Sequence, residues 1–357
     1  MNRSHLFRFL LTFLLFPLPS LLADEAGAKK VVADYEREVA AWVAKVNAAP
    51  DVEARRQLWK VGPNPDAFGQ DLLRQLDGSW NQDWFLDYAP KLLELAPAYS
   101  VKPVPTAPDK TPLSVVRSAA ERFHFESPKI GALCLALVVD NGPKTRKFLE
   151  KVELTHPDKE VQGVAAFALV LLSREMGGGD LEANKQRMER IRKAVIQSAH
   201  VKVGQTTIGE MVERFLFATM NLEKGMKAPD ILGWNVAGDA MRLKDYRGQP
   251  VMIVFWHTRM EAADETMAFL RKVTEQQSSQ GAAILGVASE SPEQLRHLIK
   301  DGTVTWENWL DEKGEIAELY QVARYPACWV LDKQGKIQHR GVPGPFAELT
   351  LEALLKE

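Results

Sequence analysis

The segment from Pro250 to Ala268 is the part of the chain where residue types and spacing suggest chemistry. A strand-like apolar run ends at Phe255-Trp256-His257, and a helix-like run follows it. A thiolate at such a junction would be an activated nucleophile, because the positive end of the helix dipole lowers its pKa. The junction contains Met260 and Ala263 but no cysteine. A thioether and a methyl group cannot form a disulfide, so the segment predicts no thiol chemistry.

The residues around Met260 predict a stable helix start. Thr258 is followed three residues later by Glu261, as in a capping box, and Asp264 and Glu265 would place further acids in the first turns. We therefore expect a helix from Arg259 to Gln277. Negative charge there would also oppose a thiolate.

The chain has two cysteines, Cys134 and Cys328, and both lie in apolar runs. We expect them to be small buried hydrophobic residues, since a disulfide between them would have to join two domains. The alternative is that Cys328 is a relocated nucleophile, because it follows Pro326 by two residues.

His257 and the neighbouring methionines allow a second kind of site. Imidazole and thioethers suit a soft metal such as copper(I), and Met252, Met260 and Met267 are close in sequence. Filling of an apolar core explains the same methionines without a metal. We expect no metal site and no cofactor.

The first 23 residues predict an export signal. Arg3 and Arg8 precede the apolar run Phe9 to Leu22, which Pro17 and Pro19 interrupt. Ala23 follows the run, before the acidic Asp24. This run is short for a membrane span, and we expect cleavage after Ala23 and a periplasmic or secreted protein without a membrane span. An uncleaved anchor is the alternative.

Composition predicts an ordinary globular protein. Of the 357 residues, 46% are hydrophobic and 26% are charged, and the net charge is −2 at pH 7. No basic cluster indicates nucleic acid as a partner.

Residues 24–223 predict an all-α domain, because apolar residues recur there with helical spacing. The expected helices are Ala28 to Ala48, Val52 to Lys60, Asp66 to Leu76, Gln82 to Leu95, Leu113 to Arg122, Pro128 to Val139, Pro143 to Val152, Lys159 to Arg174, Leu181 to Ser198 and Ile208 to Leu222. Tryptophans at helical positions, among them Trp42 and Trp59, are expected to make core or helix contacts rather than a ligand cage.

Residues 224–357 predict an α/β domain, because strand-like and helix-like runs alternate. The expected strands are Ile231 to Val236, Met241 to Leu243, Val251 to His257, Ala283 to Ala288, Trp306 to Leu310, Ala327 to Asp332 and Lys336 to Arg340. The expected helices after Gln277 are Pro292 to Lys300, Glu315 to Tyr320 and a last one from Phe346.

Several short motifs in residues 225–341 carry a family resemblance through their order and spacing. They are Gly225-Met-Lys-Ala-Pro-Asp230, Leu243-Lys-Asp-Tyr-Arg-Gly248, Phe255-Trp256-His-Thr258, Tyr320-Gln-Val322 before Tyr325-Pro326, and Leu331-Asp-Lys-Gln-Gly335-Lys-Ile337. This part resembles the redoxin family of exported thioredoxin-like proteins, the TlpA/ResA-type and AhpC/TSA group. The resemblance implies a thioredoxin-like α/β sandwich for this part, so the expected fold is an all-α domain followed by that sandwich.

The chain departs from that family at the positions where the family reacts. The resemblance puts the cysteines of the Cys-x-x-Cys motif at Met260 and Ala263, usually a tryptophan at Arg259 and often a threonine at Ala327. Thioredoxins proper also carry a buried acid at the position of Val254. A peroxidatic cysteine would also fall at Met260. We therefore predict a degenerate, redox-inactive domain, and the alternative is a thiol-disulfide oxidoreductase or antioxidant enzyme.

The resemblance also implies a surface that needs no thiol. It places a cis peptide bond before Pro326, where the exposed backbone would pair with an extended partner segment. We predict that Trp256, His257, Tyr325 and Pro326 bind a protein or peptide. The alternative is that Trp256 only fills the core edge and Pro326 only shapes a turn.

Overall fold

The computed structural model describes residues 24–50, 52–95, 111–173 and 181–357. These residues form two compact units. The first contains the described residues up to Tyr35 together with Asn64–Phe148, and the second contains Glu36–Pro63 and Leu149–Glu357. The expected signal segment lies outside the described residues, as do most of the proline-rich stretch before Pro112 and the Gly177–Gly179 loop.

Ten helices precede the α/β part within the described residues. They are α1 (Glu25–Ala48), α2 (Val52–Lys60), α3 (Pro65–Leu76), α4 (Phe85–Leu95), α5 (Pro112–Phe123), α6 (Ile130–Ala136), α7 (Pro143–Thr155), α8 (Lys159–Leu172), α9 (Leu181–Ser198) and α10 (Ile208–Asn221). The N-terminal all-α region is thus confirmed. A short hairpin of β1 (Lys202–Val203) and β2 (Thr206–Thr207) precedes α10 and was not predicted.

Side-chain caps explain where several of these helices begin. Asn64 accepts hydrogen bonds from the backbone of α3, Thr111 from that of α5 and Asp158 from that of α8. At α10, Thr207 and Glu210 form a capping box, in which each side chain bonds the other residue's backbone N–H.

The α/β part follows the predicted alternation. Its strands are β3 (Leu232–Trp234), β4 (Ala240–Arg242), β5 (Val251–Trp256), β6 (Ala283–Ala288), β7 (Glu307–Leu310), β8 (Ala327–Leu331) and β9 (Ile337–Gly341). Its helices are α11 (Ala263–Gln277), α12 (Pro292–Lys300), α13 (Glu315–Leu319) and α14 (Pro345–Leu355). Strands β5 to β9 form one mixed sheet in the order β7-β6-β5-β8-β9.

Strand β5 is buried on both of its faces. Met252, Val254 and Trp256 point into one apolar cluster, which includes residues of α11, α12 and α14. The alternate residues point into a second cluster, which includes residues of α10 and α13. Period-two alternation therefore places apolar side chains on both sides, as expected of a central strand covered by helices.

Strand pairing brings three chain segments together at one end of the strands. Strand β5 is parallel to β6, with Trp256 opposite Ala288, and antiparallel to β8, with Phe255 opposite Ala327. The segment after β5, the segment after β6 and the segment before β8 consequently meet at that end of the strands. This register positions the candidate site.

The helix after β5 starts later than the sequence predicts. Residues 257–262 form turns, and α11 begins at Ala263 after Ala262, whose side chain makes no capping hydrogen bond. The expected start at Arg259 and the capping box of Thr258 and Glu261 are wrong. The physical reason is that the Thr258 backbone N–H donates to the Glu290 carboxylate, which holds the chain in a turn.

In the part of the chain that the structure describes, none of the helices combines the length and the apolar character needed to cross a bilayer.

Asn308 joins two buried tryptophans next to the site. Its side-chain oxygen accepts from Trp256 Nε1 at 2.9 Å and from Trp306 Nε1 at 3.1 Å. Gly286 leaves space for the hydrogen bond between Trp256 and Asn308, since a Cβ at residue 286 would lie 2.7 Å from Trp256 Nε1.

We predict that Asn308→Ala lowers the free energy of unfolding of the second unit by roughly 2 to 4 kcal/mol, because two buried indole donors lose their acceptor. Asn308→Asp is the matched variant, since it keeps an oxygen at this position, and it should cost less than Asn308→Ala. Urea unfolding followed by tryptophan fluorescence measures both. Equal stability of wild type and Asn308→Ala would contradict this account.

Candidate functional site

The turn of residues 257–262 is fastened to the segment that follows β6. Glu290 accepts the Thr258 N–H and lies 3.7 Å from Arg259 Nη1, and its side chain is only 1% exposed. Arg259 Nη2 also donates to the Ser289 carbonyl at 3.2 Å. A carboxylate this buried needs charged or N–H partners, and the turn supplies both.

The two positions that the family resemblance assigns to cysteines are closed to solvent. Met260 is 4% exposed and Ala263 is 7% exposed, and both belong to the apolar cluster around Trp256. Met252 and Met267 lie in the same cluster. The burial of these methionines favours core filling over the soft-metal alternative.

Both cysteines are free and fully buried, as predicted. Burial raises the pKa of the Cys134 thiol to about 12 and also raises that of Cys328. Since the thiolate is the reactive form, neither residue is an activated nucleophile. This burial argues against the alternative that Cys328 replaces the missing cysteines.

Trp256 does not line a surface. Its ring is fully buried and its Nε1 bonds Asn308, so the expectation that Trp256 presents an aromatic face to a partner is incorrect. The reason is strand alternation, because residue 256 continues the inward-facing row of Met252 and Val254.

The other three predicted binding residues, His257, Tyr325 and Pro326, lie close together. The Tyr325-Pro326 peptide bond is cis, and the rings of His257 and Tyr325 have their centroids 4.7 Å apart. The Tyr325 hydroxyl hydrogen-bonds Ser289 Oγ at 3.0 Å. His257 and Tyr325 are each partly exposed, so they can contribute to a surface.

The His257 imidazole is held neutral. Burial, aided by the nearby positive charge of Arg259, lowers the pKa of His257 to about 4. Its Nδ1 atom is buried without a hydrogen-bond partner.

An open groove lined by residues of α10 and α13 includes Tyr325 in its wall. Gln321, at its wall, has a left-handed φ of 50° and donates to the Arg214 carbonyl at 2.9 Å. The groove is lined by Arg214, Gly314, Ala317, Glu318, Gln321, Val322, Ala323 and Tyr325.

Helix α2 contacts the turn from the other end of the chain. Trp59 Nε1 donates to the Arg259 carbonyl at 3.2 Å, and Arg56 forms an ion pair with Asp264. The contacted residues flank Met260 and Ala263 in sequence. The sequence identified Trp59 only as a helix-contact residue and gave no signal for Arg56 or Glu290.

Within the described ranges, no group of three or more His, Cys, Asp or Glu side chains is arranged to hold a metal ion.

We predict that His257 makes the protein less stable in acid. Below about pH 6.5 the unfolded chain binds a proton at this position, whereas the folded protein does so only near its pKa of about 4. The free energy of unfolding should therefore fall by roughly 3 kcal/mol between pH 6.5 and pH 4 and level off below pH 4.

His257→Gln should remove this part of the pH dependence. The exposed His297, whose side chain is 70% accessible, provides the control variant His297→Gln. Urea unfolding at several pH values measures the slopes, and an unchanged slope for His257→Gln would contradict the assignment.

Comparisons with known proteins agree with this architecture. Residues 224–340 match the AhpC/TSA family. Thiol-disulfide oxidoreductase ResA of Bacillus thuringiensis subsp. konkukian is 26% identical over 137 residues, which are 38% of this chain and 79% of that protein. Thioredoxin-like protein YneN of Bacillus subtilis is 27% identical over 122 residues, which are 33% of this chain and 71% of that protein.

Among solved structures, the thioredoxin domain of a thiol-disulfide oxidoreductase from Bacteroides vulgatus aligns with 38% of this chain and 99% of its own. The sequence identity is 24% and the TM-score is 0.35. The family match and the sheet described above identify residues 224–340 as a thioredoxin-like domain that matches the AhpC/TSA family model.

Proposed function

We propose that this is an exported protein whose thioredoxin-like domain has lost thiol chemistry and serves as a binding module for an extended protein segment. In this proposal the first 23 residues direct export and are removed after Ala23. The mature protein then acts in the periplasm or outside the cell, without a cofactor.

The loss of redox activity is supported above all by the residues at the two family cysteine positions. Met260 and Ala263 provide no thiol, and both are nearly inaccessible. Disulfide exchange requires a thiolate that can reach a substrate sulfur. Cys328 does not meet this requirement, since it is fully buried and burial raises its pKa.

The binding role is supported by what the surface retains. Tyr325 lies two residues before β8, and its side chain is only partly covered. Main-chain hydrogen bonds and an aromatic contact are the interactions that hold an extended peptide. Tyr325 also lines an open groove, in which such a segment could lie.

The alternative function is the activity after which relatives such as ResA are named, thiol-disulfide oxidoreduction. It would require Cys328 to become exposed. The two functions differ in whether the protein catalyses the reduction of a disulfide or a peroxide.

We predict that the mature protein neither reduces insulin in the presence of dithiothreitol nor consumes peroxide, because no accessible thiol is available to attack. Turnover should equal the background without protein. Activity above background that disappears in Cys328→Ser would overturn the proposal and make Cys328 the nucleophile.

We predict that Tyr325→Asp weakens peptide binding at least about tenfold, since a charge replaces the central apolar contact. Peptides selected from a displayed library on the mature protein are the probes, and titration calorimetry measures their affinity. Trp234→Asp is the matched control, because Trp234 is an aromatic residue that is 60% exposed elsewhere on the domain.

Met260→Ala should also leave the affinity unchanged within about twofold, because a buried side chain makes no direct contact with a peptide. If every selected peptide binds Tyr325→Asp as tightly as wild type, the surface around the cis-proline is not the binding site. The proposal would then be abandoned for this surface.

A further inference from the structure

The segment of residues 36–63, here called the arm, carries the C-terminal part of α1 and all of α2. It belongs to the same compact unit as the thioredoxin-like domain, while the residues on both sides of it belong to the other unit. The chain therefore passes from the first unit into the second at Glu36 and back into the first at Asn64. Its α2 contacts the turn where a redox enzyme of this family would react.

Two side chains of α2 make these contacts, and they are three residues apart on one helix face. Trp59 donates its indole N–H to the Arg259 carbonyl, and Arg56 pairs with Asp264. The Arg259 carbonyl lies in the turn before α11, where no helix hydrogen bond is available to it. Asp264 adds negative charge in the first turn of α11, which suits a cation from a partner.

The Trp59 ring is held in place within the arm. It packs edge-on against Trp42, with ring centroids 4.5 Å apart, and Trp42 Nε1 donates to the Leu58 carbonyl at 2.8 Å. The arm thus presents its tryptophan to the turn as a preformed unit.

We propose that α2 is the resident ligand of the turn of residues 257–262, and that a protein partner reaches this turn only when α2 is displaced. The Asp264 carboxylate and the Arg259 carbonyl are spaced to bind a helix that presents an arginine and, three residues later, a tryptophan. Displacement by a partner rests on the proposed binding function, whereas the docking of α2 does not.

The contacts suit an exchangeable ligand. Arg56 and Asp264 keep 45% and 43% of their side-chain surface exposed, so water can replace their ion pair. A second molecule that supplies the same two groups would satisfy the Arg259 carbonyl and the Asp264 carboxylate equally well.

A charge swap in the full mature protein tests the docking. Arg56→Glu and Asp264→Arg each place like charges together, so each should lower the hydrogen-exchange protection of residues 52–63 and 258–264 by about tenfold or more. The double variant Arg56→Glu, Asp264→Arg should restore protection. Arg74→Glu is the matched control, because Arg74 is an exposed arginine paired with Asp71 on α3.

A synthetic peptide of residues 52–63 tests whether the site can be occupied from outside. It should bind the Arg56→Glu, Trp59→Ala protein at least about tenfold more tightly than wild type, whose own α2 fills the site. The same peptide with Trp59→Ala should not bind. Unchanged protection in both charge variants, or equal peptide binding to both proteins, would overturn the docking.

The library-selected peptides separate the two proposals. If they bind Arg56→Glu more tightly than wild type, α2 competes with the partner. If they bind both equally, competition fails and the binding function stands. If charge-swap rescue is observed but no selected peptide depends on Tyr325, the docking of α2 stands and the binding function fails.

Discussion

The site depends on one buried carboxylate. Glu290 accepts the Thr258 N–H and faces Arg259, and its side chain is almost completely shielded from water. Burying a charge in this way is costly unless partners are fixed around it, so the turn of residues 257–262 must keep its conformation. The late start of α11, the burial of Met260 and the outward Arg259 carbonyl are all consistent with that requirement.

A turn held this way is compatible with the proposed loss of thiol chemistry. A redox turn has to expose a sulfur atom and stabilise its thiolate, whereas this one buries Met260 and carries Asp264 at the start of the next helix. The neutral His257 adds no positive charge that would favour a thiolate. The scaffold of the AhpC/TSA family is kept, and the groups that would react are absent.

Much of the fold could be predicted from the sequence, because local patterns determine it. Helix α9 and strand β6 have the bounds expected from apolar periodicity, and the cis bond before Pro326 follows the family resemblance. The site was harder to predict, since its contacts join distant positions. Thr258 and Glu261 satisfied the local rule for a capping box, but the tertiary bond from Thr258 to Glu290 prevailed.

Trp256 and Arg56 illustrate the same limit. An aromatic residue at a strand end fits either a surface or a core. Trp256 lies in the core, in the inward-facing row of Met252 and Val254, and is bonded to Asn308 of β7. Arg56 and Asp264 are 208 positions apart, so no local pattern could pair them. Helix periodicity predicted α2 correctly and contained no information about what α2 contacts.

The central claim is that the folded protein has no reactive thiol. Titration of the mature protein with an aromatic disulfide reagent, before and after unfolding in guanidinium chloride, tests it most directly. The account predicts that neither Cys134 nor Cys328 reacts in the folded protein and that both react after unfolding. Rapid reaction of either cysteine in the folded protein would contradict it.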